Sequence, residues 1–234
     1  MKKNGFTLAE VLITLGIIGV VAALVMPALI ANYKEKQTVV RLKKAYSVLS
    51  NAFQLAINEN ETPDNWALKL SSSGGQIILD KIVPYLNIQK NCGTGTGCFP
   101  DGGYKTFDDT LAANPSSGMP KAILADGTII YLFVTDIDCA GSDYGGQPMI
   151  PNSCGWFYVD INGLKGPNRV GKDLFLFNVT RTGIIPSGTP DDPKYPFSSC
   201  RNLGWGCTAW VILNENMDYI HCNDLSWNGK TKCK

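Results

Sequence analysis

Apolar and polar positions divide the chain into three stretches. From Val11 to Ala31 the residues are uncharged and almost all apolar. At 1.5 Å per helical residue, about 20 such residues cross a bilayer core of about 30 Å. From Asn32 to Asn60 the pattern becomes one-sided, with Val39, Leu42, Tyr46, Leu49, Phe53 and Ile57 at steps of three and four. That spacing predicts an amphipathic helix that continues the span. Pro27 is the one breaker inside the run and is expected to kink the helix rather than end it. Glu61-Thr62-Pro63-Asp64 is expected to stop it. The helix from Phe6 to Asn60 would be about 80 Å long.

Beyond residue 60 the pattern breaks into short runs among Gly, Pro, Ser and Asn, the length of one globular domain. Residues 77–86 predict a short helix or turn. Residues 122–125 and 128–134 flank Asp126-Gly127, a strong hairpin signal. Residues 155–161 and 174–179 flank Asn162-Gly163 and a longer loop. These four runs predict an antiparallel sheet of about four strands, whose apolar face packs on the Val39–Ile57 stripe. Residues 207–219 read as a helix or a last strand. The fold class expected is α+β: a long N-terminal helix on a small antiparallel sheet with disulfide-rich loops.

Charge refines this reading at the front of the chain. Lys2 and Lys3 precede the span, and Glu10 stands at its edge. A carboxylate inside a span costs roughly 2.5–3.5 kcal/mol on insertion scales, so it calls for a partner. Lys2-Lys3-Asn4-Gly5-Phe6-Thr7-Leu8-Ala9-Glu10, followed by the apolar run, closely resembles the N-terminal signal of type IV pilins and type II secretion pseudopilins. The resemblance covers residues 1 to about 60. It implies a leader of residues 1–5, cleavage after Gly5 by a prepilin peptidase and methylation of Phe6. It also implies a filament-core helix over 6–31, continued over 32–60, and an exported head over 61–234. Glu10 is then the assembly carboxylate, paired with a neighbour's N-terminal amine, and Pro27 falls where many members carry a helix-kinking proline. Implied partners are the peptidase, other pilin or pseudopilin subunits and an inner-membrane assembly platform. The long, cysteine-rich head leans toward a minor subunit. A single-span anchored binding module is the alternative class.

Orientation follows from Lys2 and Lys3, because positive flanks stay cytoplasmic. The head would then lie outside the cytoplasmic membrane, in the periplasm or on the cell surface. Its eight cysteines suit that compartment. Eight cysteines allow 105 pairings. The simplest set joins neighbours in sequence: Cys92–Cys98, Cys139–Cys154, Cys200–Cys207 and Cys222–Cys233. Zinc is disfavoured, because no two cysteines are spaced C-x2-C and His221 is the single histidine.

Seven of the 21 basic and three of the 20 acidic residues fall in 1–60, which leaves residues 61–234 at net −3. A nucleic-acid-binding head would carry a basic stripe, so no nucleic acid is expected. No catalytic constellation is visible, and no enzyme is expected: a Ser-His-Asp triad would have to recruit His221 from the cysteine-rich tail. No cofactor is expected, with one possible exception. Asp160, Asn162 and Asp173 punctuate a turn-rich loop, similar in style to the calcium loops of some pseudopilins. Calcium wants six to eight oxygens, and Asn-Gly turn geometry also explains these residues.

Overall fold

The computed structural model describes residues 7–113 and 115–233. The chain divides into two units, residues 1–37 and 38–234. Helix α1 runs without interruption from Leu8 to Asn60, with Pro27 inside it. In the first unit its side chains are exposed on every side.

The second unit contains the rest of α1 together with α2 (Ser71–Ile82), α3 (Phe197–Leu203), α4 (Thr208–Asn214) and six strands. The strands are β1 (Ile88–Gly93), β2 (Lys121–Leu124), β3 (Ile129–Val134), β4 (Ser153–Asp160), β5 (Leu174–Thr180) and β6 (Gly183–Pro186). They form one antiparallel meander in sequence order. The sheet thus has two strands more than the four expected. β1 reads Ile-Gln-Lys-Asn-Cys-Gly, an exposed edge with no apolar alternation. β6 is four residues long and ends in proline, as edge strands often do. The 207–219 segment resolves into α4, a helix. Cysteines pair with their sequence neighbours: Cys92–Cys98, Cys139–Cys154, Cys200–Cys207 and Cys222–Cys233.

The expected stripe on α1 is the one that docks. Val39, Leu42, Leu49 and Phe53 are buried, while Tyr46 and Ile57 are partly buried against the same cluster. Tyr46 stacks on Phe177 of β5 at 5.5 Å, and Phe53 tilts against Trp66 at 5.7 Å. Trp66 also fastens the end of α1. Its indole Nε1–H donates to the Asn60 and Glu61 carbonyls at 2.9 and 3.0 Å, satisfying groups that a helix end leaves open. α2 lies directly on β3 because Gly74 and Gly75 face it. A Cβ at Gly75 would come within 2.4 Å of the Leu132 carbonyl oxygen.

The central strands β3, β4 and β5 are buried on both faces. β3 reads Ile-Ile-Tyr-Leu-Phe-Val, and every residue of β4 and β5 is buried. One face meets α1 and α2. The other is closed by three loop regions through Phe99 and Tyr104, through Tyr144, and through Tyr195 and Trp205. Continuous apolar strands are the mark of a sheet covered on both sides.

Candidate assembly element and the polar loop of the head

The first unit places apolar side chains where water cannot be their final environment. Leu8 and Leu24 are 79% and 75% exposed, and the most apolar eighteen-residue window has a mean hydropathy of 2.6 with none of it buried. Each such side chain gains about 1.5–3 kcal/mol on leaving water. A contiguous exposed surface of this kind marks a membrane or protein contact. By length and composition the helix can cross a bilayer.

Glu10 sits in the first turn of α1. Its Oε2 accepts from the Thr7 backbone N–H and from the Thr7 hydroxyl, both at 2.8 Å, while the Glu10 N–H donates to Thr7 Oγ1 at 3.3 Å. This is a reciprocal capping box, in which a Thr and a Glu three residues on satisfy each other's backbone donors. The Thr-Leu-Ala-Glu spacing announces it in the sequence. Gly5 and Phe6, the expected processing pair, lie outside the described residues.

The basic cluster beyond the span is partly engaged by the head. Lys43 pairs with Glu215, and Lys44 with Asp126 at 2.9 Å. Asp126 also accepts the Thr128 N–H at 3.1 Å and so shapes the β2–β3 hairpin.

In the Asp160–Asp173 loop N–H and O–H donors hold the carboxylate oxygens. Asp160 Oδ1 accepts from the Asn162 and Gly163 N–H groups at 3.1 and 3.0 Å, and its Oδ2 accepts from Tyr104 Oη at 2.6 Å. Tyr104 Oη also contacts Tyr131 Oη at 2.8 Å, and Tyr131 Oη donates to the Cys98 carbonyl at 3.1 Å. Asp173 Oδ1 accepts from the Arg169 N–H, while its Oδ2 accepts from the Asn168 N–H and from Asn162 Nδ2 at 2.7 and 3.3 Å. Burial pushes Asp160 up to about 8, against the Tyr104 hydrogen bond and with help from nearby Asp173; burial also raises Asp173. Asn162 Oδ1 and Asn168 Oδ1 remain without a hydrogen-bond partner. Among the described residues no three His, Cys, Asp or Glu side chains converge as metal ligands. Both oxygens of each carboxylate accept hydrogen bonds from within the head, the pattern by which Asp and Asn side chains shape a turn.

Comparison with known proteins bears on the N-terminal element. Residues 1–26 match the prokaryotic N-terminal methylation motif, the signal of type IV pilin and pseudopilin precursors. Residues 28–77 match a family of unknown function (DUF6613). No curated protein and no solved structure matches the chain. The chain therefore carries a pilin-type signal on a long apolar helix, the combination of a membrane-anchored, pilin-like precursor.

Proposed function

We propose that this chain is a structural subunit of a type IV pilus or of a type II secretion pseudopilus. A prepilin peptidase cuts it after Gly5 and methylates Phe6, and the subunit is drawn from the membrane into the filament through α1. The observation that carries this reading is a methylation motif on residues 1–26 leading into a helix whose apolar side chains are exposed all round. Lys2 and Lys3 hold the N-terminus in the cytoplasm, and the four disulfides suit a head exported to an oxidising compartment. An inner-membrane assembly platform and other pilin-type subunits are its partners.

Glu10 then has two successive roles. In the separate chain its carboxylate caps its own helix through Thr7. In the filament it exchanges that cap for the N-terminal amine of a neighbouring helix, and the buried pair sets axial register more than it adds stability. The turn at Asp160–Asp173 serves the head as a hydrogen-bonded scaffold and holds no ion.

The test is the mass of the N-terminal peptide from the protein in its own membranes, with Glu10→Ala as the companion variant. A peptide beginning at Phe6 with one added methyl group is expected. Glu10→Ala is expected to insert and be processed yet stay out of filaments. An intact Met1 would overturn the reading in favour of a simple anchored module, and an N-terminus near Asn32 in favour of a secreted protein.

A further inference from the structure

The dipeptide Asn-Gly occurs three times, at Asn4-Gly5, Asn162-Gly163 and Asn228-Gly229. Glycine has no Cβ to keep its backbone nitrogen away from the preceding side-chain amide. Asn4-Gly5 lies outside the described residues. The other two pairs sit in opposite surroundings. Asn162 Nδ2 donates to the Gly166 carbonyl at 3.2 Å and to Asp173 Oδ2 at 3.3 Å, and the Gly163 N–H donates to Asp160 Oδ1 at 3.0 Å. Gly163 is also buried. Here both the backbone nitrogen and the side-chain amide are tied down. Asn228 and Gly229 are exposed in the loop that Cys222–Cys233 closes. No hydrogen bond from the described residues holds the Asn228 side chain. The Gly229 N–H makes one long bond, to the Ser226 carbonyl at 3.3 Å.

We propose that Asn228 is a site of spontaneous deamidation in the folded head, and that the turn around Asp160 and Asp173 protects Asn162 from the same reaction. The Gly229 nitrogen attacks Asn228 Cγ and forms a new N–C bond. The bond from Cγ to the side-chain nitrogen breaks, and that nitrogen leaves as ammonia with the proton given up by Gly229. The product is a five-membered succinimide. Water adds to one of its two carbonyls and reopens the ring, leaving aspartate or isoaspartate at position 228. In sum one water is consumed and one ammonia released, and nothing is oxidised or reduced. Each event takes residues 61–234 from net −3 to −4. The new carboxylate stands beside Trp227, which packs on Phe197 and Trp210 and donates its indole N–H to the Gly188 carbonyl at 3.1 Å. In the isoaspartate product the main chain gains one carbon inside the turn that the Ser226 N–H closes on the Lys230 carbonyl at 3.0 Å. No enzyme is needed, so the mark accumulates with the age of each copy.

The test incubates the oxidised full-length chain in detergent at mildly alkaline pH and follows the peptides carrying Asn162 and Asn228 by mass. Conversion at Asn228 is expected to outpace that at Asn162 at least several-fold. Gly229→Ala is the second arm. Its added Cβ meets only the hydroxyl of exposed Ser226, at 2.7 Å, so the loop can adjust, and conversion at position 228 should slow several-fold. In the third arm the chain is reduced and unfolded in urea, where Asn162 loses its protection and the two sites should convert at similar rates. Asn228 staying intact in the folded chain would overturn the site. Equal rates in the folded chain, or Asn162 still slow in urea, would overturn the protection assigned to the turn. A rate unchanged by Gly229→Ala would overturn the route through the Gly229 nitrogen.

Discussion

Across β3, β4 and β5 the two faces of the sheet read very differently. Leu132, Phe157 and Phe177 form one row, and Ile130, Val159 and Phe175 another on the same face. Both look toward α1 and α2 and contain only hydrocarbon. On the opposite face Lys121, Tyr131, Tyr158 and Leu176 stand in one row, and Phe133, Trp156, Asn178 and Ile185 in the next. Lys121 is fully buried, and its ammonium donates to the Ser117 and Met119 carbonyls at 2.7 and 3.0 Å. The difference follows from what covers each face. A helix satisfies its own backbone and offers the sheet an apolar stripe. Loops bring unsatisfied carbonyls and N–H groups, so the side chains beneath them must carry hydroxyl, amide or ammonium groups to answer.

The largest effect that should separate the faces comes from the helix-covered side. Phe53→Ala leaves a void between α1 and Trp66 and is expected to cost about 3–5 kcal/mol, read as a drop in the urea midpoint of the oxidised protein. A loss below about 1 kcal/mol would mean that this face is not the close-packed one.

The loop-covered face should reveal itself through pH. Asp160 is buried and its folded value stands at about 8, against an ordinary 3.8. Between those values the folded chain keeps a proton that the unfolded chain has released, so stability is fully present below about pH 4 and falls as pH rises toward 8. One such group gives a slope of at most about 1.4 kcal/mol per pH unit. Raised Asp173 adds in the same direction, whereas Asp136 is held low by N–H bonds from Ser142, Asp138 and Ala140 that overcome its burial. Asp136 is therefore ionised in both states across this window and adds no slope. Asp160→Asn keeps an acceptor for the Asn162 and Gly163 amides and should flatten the curve. An unchanged slope in that variant would show that the titrating group is elsewhere.

The two faces also differed in how far the sequence disclosed them. The docked stripe of α1 was legible because a period of 3.6 survives in any helix with one wet side. The hairpin at Asp126-Gly127 was legible because few residues accept the positive φ that Gly127 adopts, +86°. The loop-covered face was not, since its partners are far apart in sequence and share no period: Tyr195 meets Trp156, and Trp205 meets Tyr158. β1 was hidden for the opposite reason, being polar and exposed, so that only its pairing with β2 makes it a strand. At the candidate assembly element the position of Glu10 was plain, and Thr7 three residues before it carried the capping signal as well.

A smaller effect is expected where the helix meets the head through charge. The Lys43 and Glu215 side chains are 44% and 63% exposed. Exposed pairs are worth about 0.2–1 kcal/mol, so a double-mutant cycle of Lys43→Ala and Glu215→Ala should return a coupling in that range that shrinks with added salt. A coupling above about 2 kcal/mol would make charge, rather than the Leu42–Phe53 stripe, a main fastening of α1 to the head.

The smallest expected effect is none. Calcium added to the oxidised protein should leave its thermal midpoint unmoved, because a ligand bound to the folded state alone must raise it. The physical ground is the order of donors around the loop. An ion between Asp160 and Asp173 would have to displace the Asn162, Gly163, Asn168 and Arg169 N–H groups that those carboxylates now accept. Those four amides shape the turn, so their release would cost hydrogen bonds worth about 0.5–1.5 kcal/mol each, and more toward a charged acceptor. The two unpartnered oxygens, Asn162 Oδ1 and Asn168 Oδ1, are the only side-chain oxygens of the loop's Asp and Asn residues not already engaged, so backbone carbonyls and water would have to supply the rest of the six to eight that calcium takes. A saturable rise in midpoint, abolished by Asp173→Asn, would show that the loop rebuilds around an ion, and the loop-covered face would then be held by metal as well as by hydroxyl and amide.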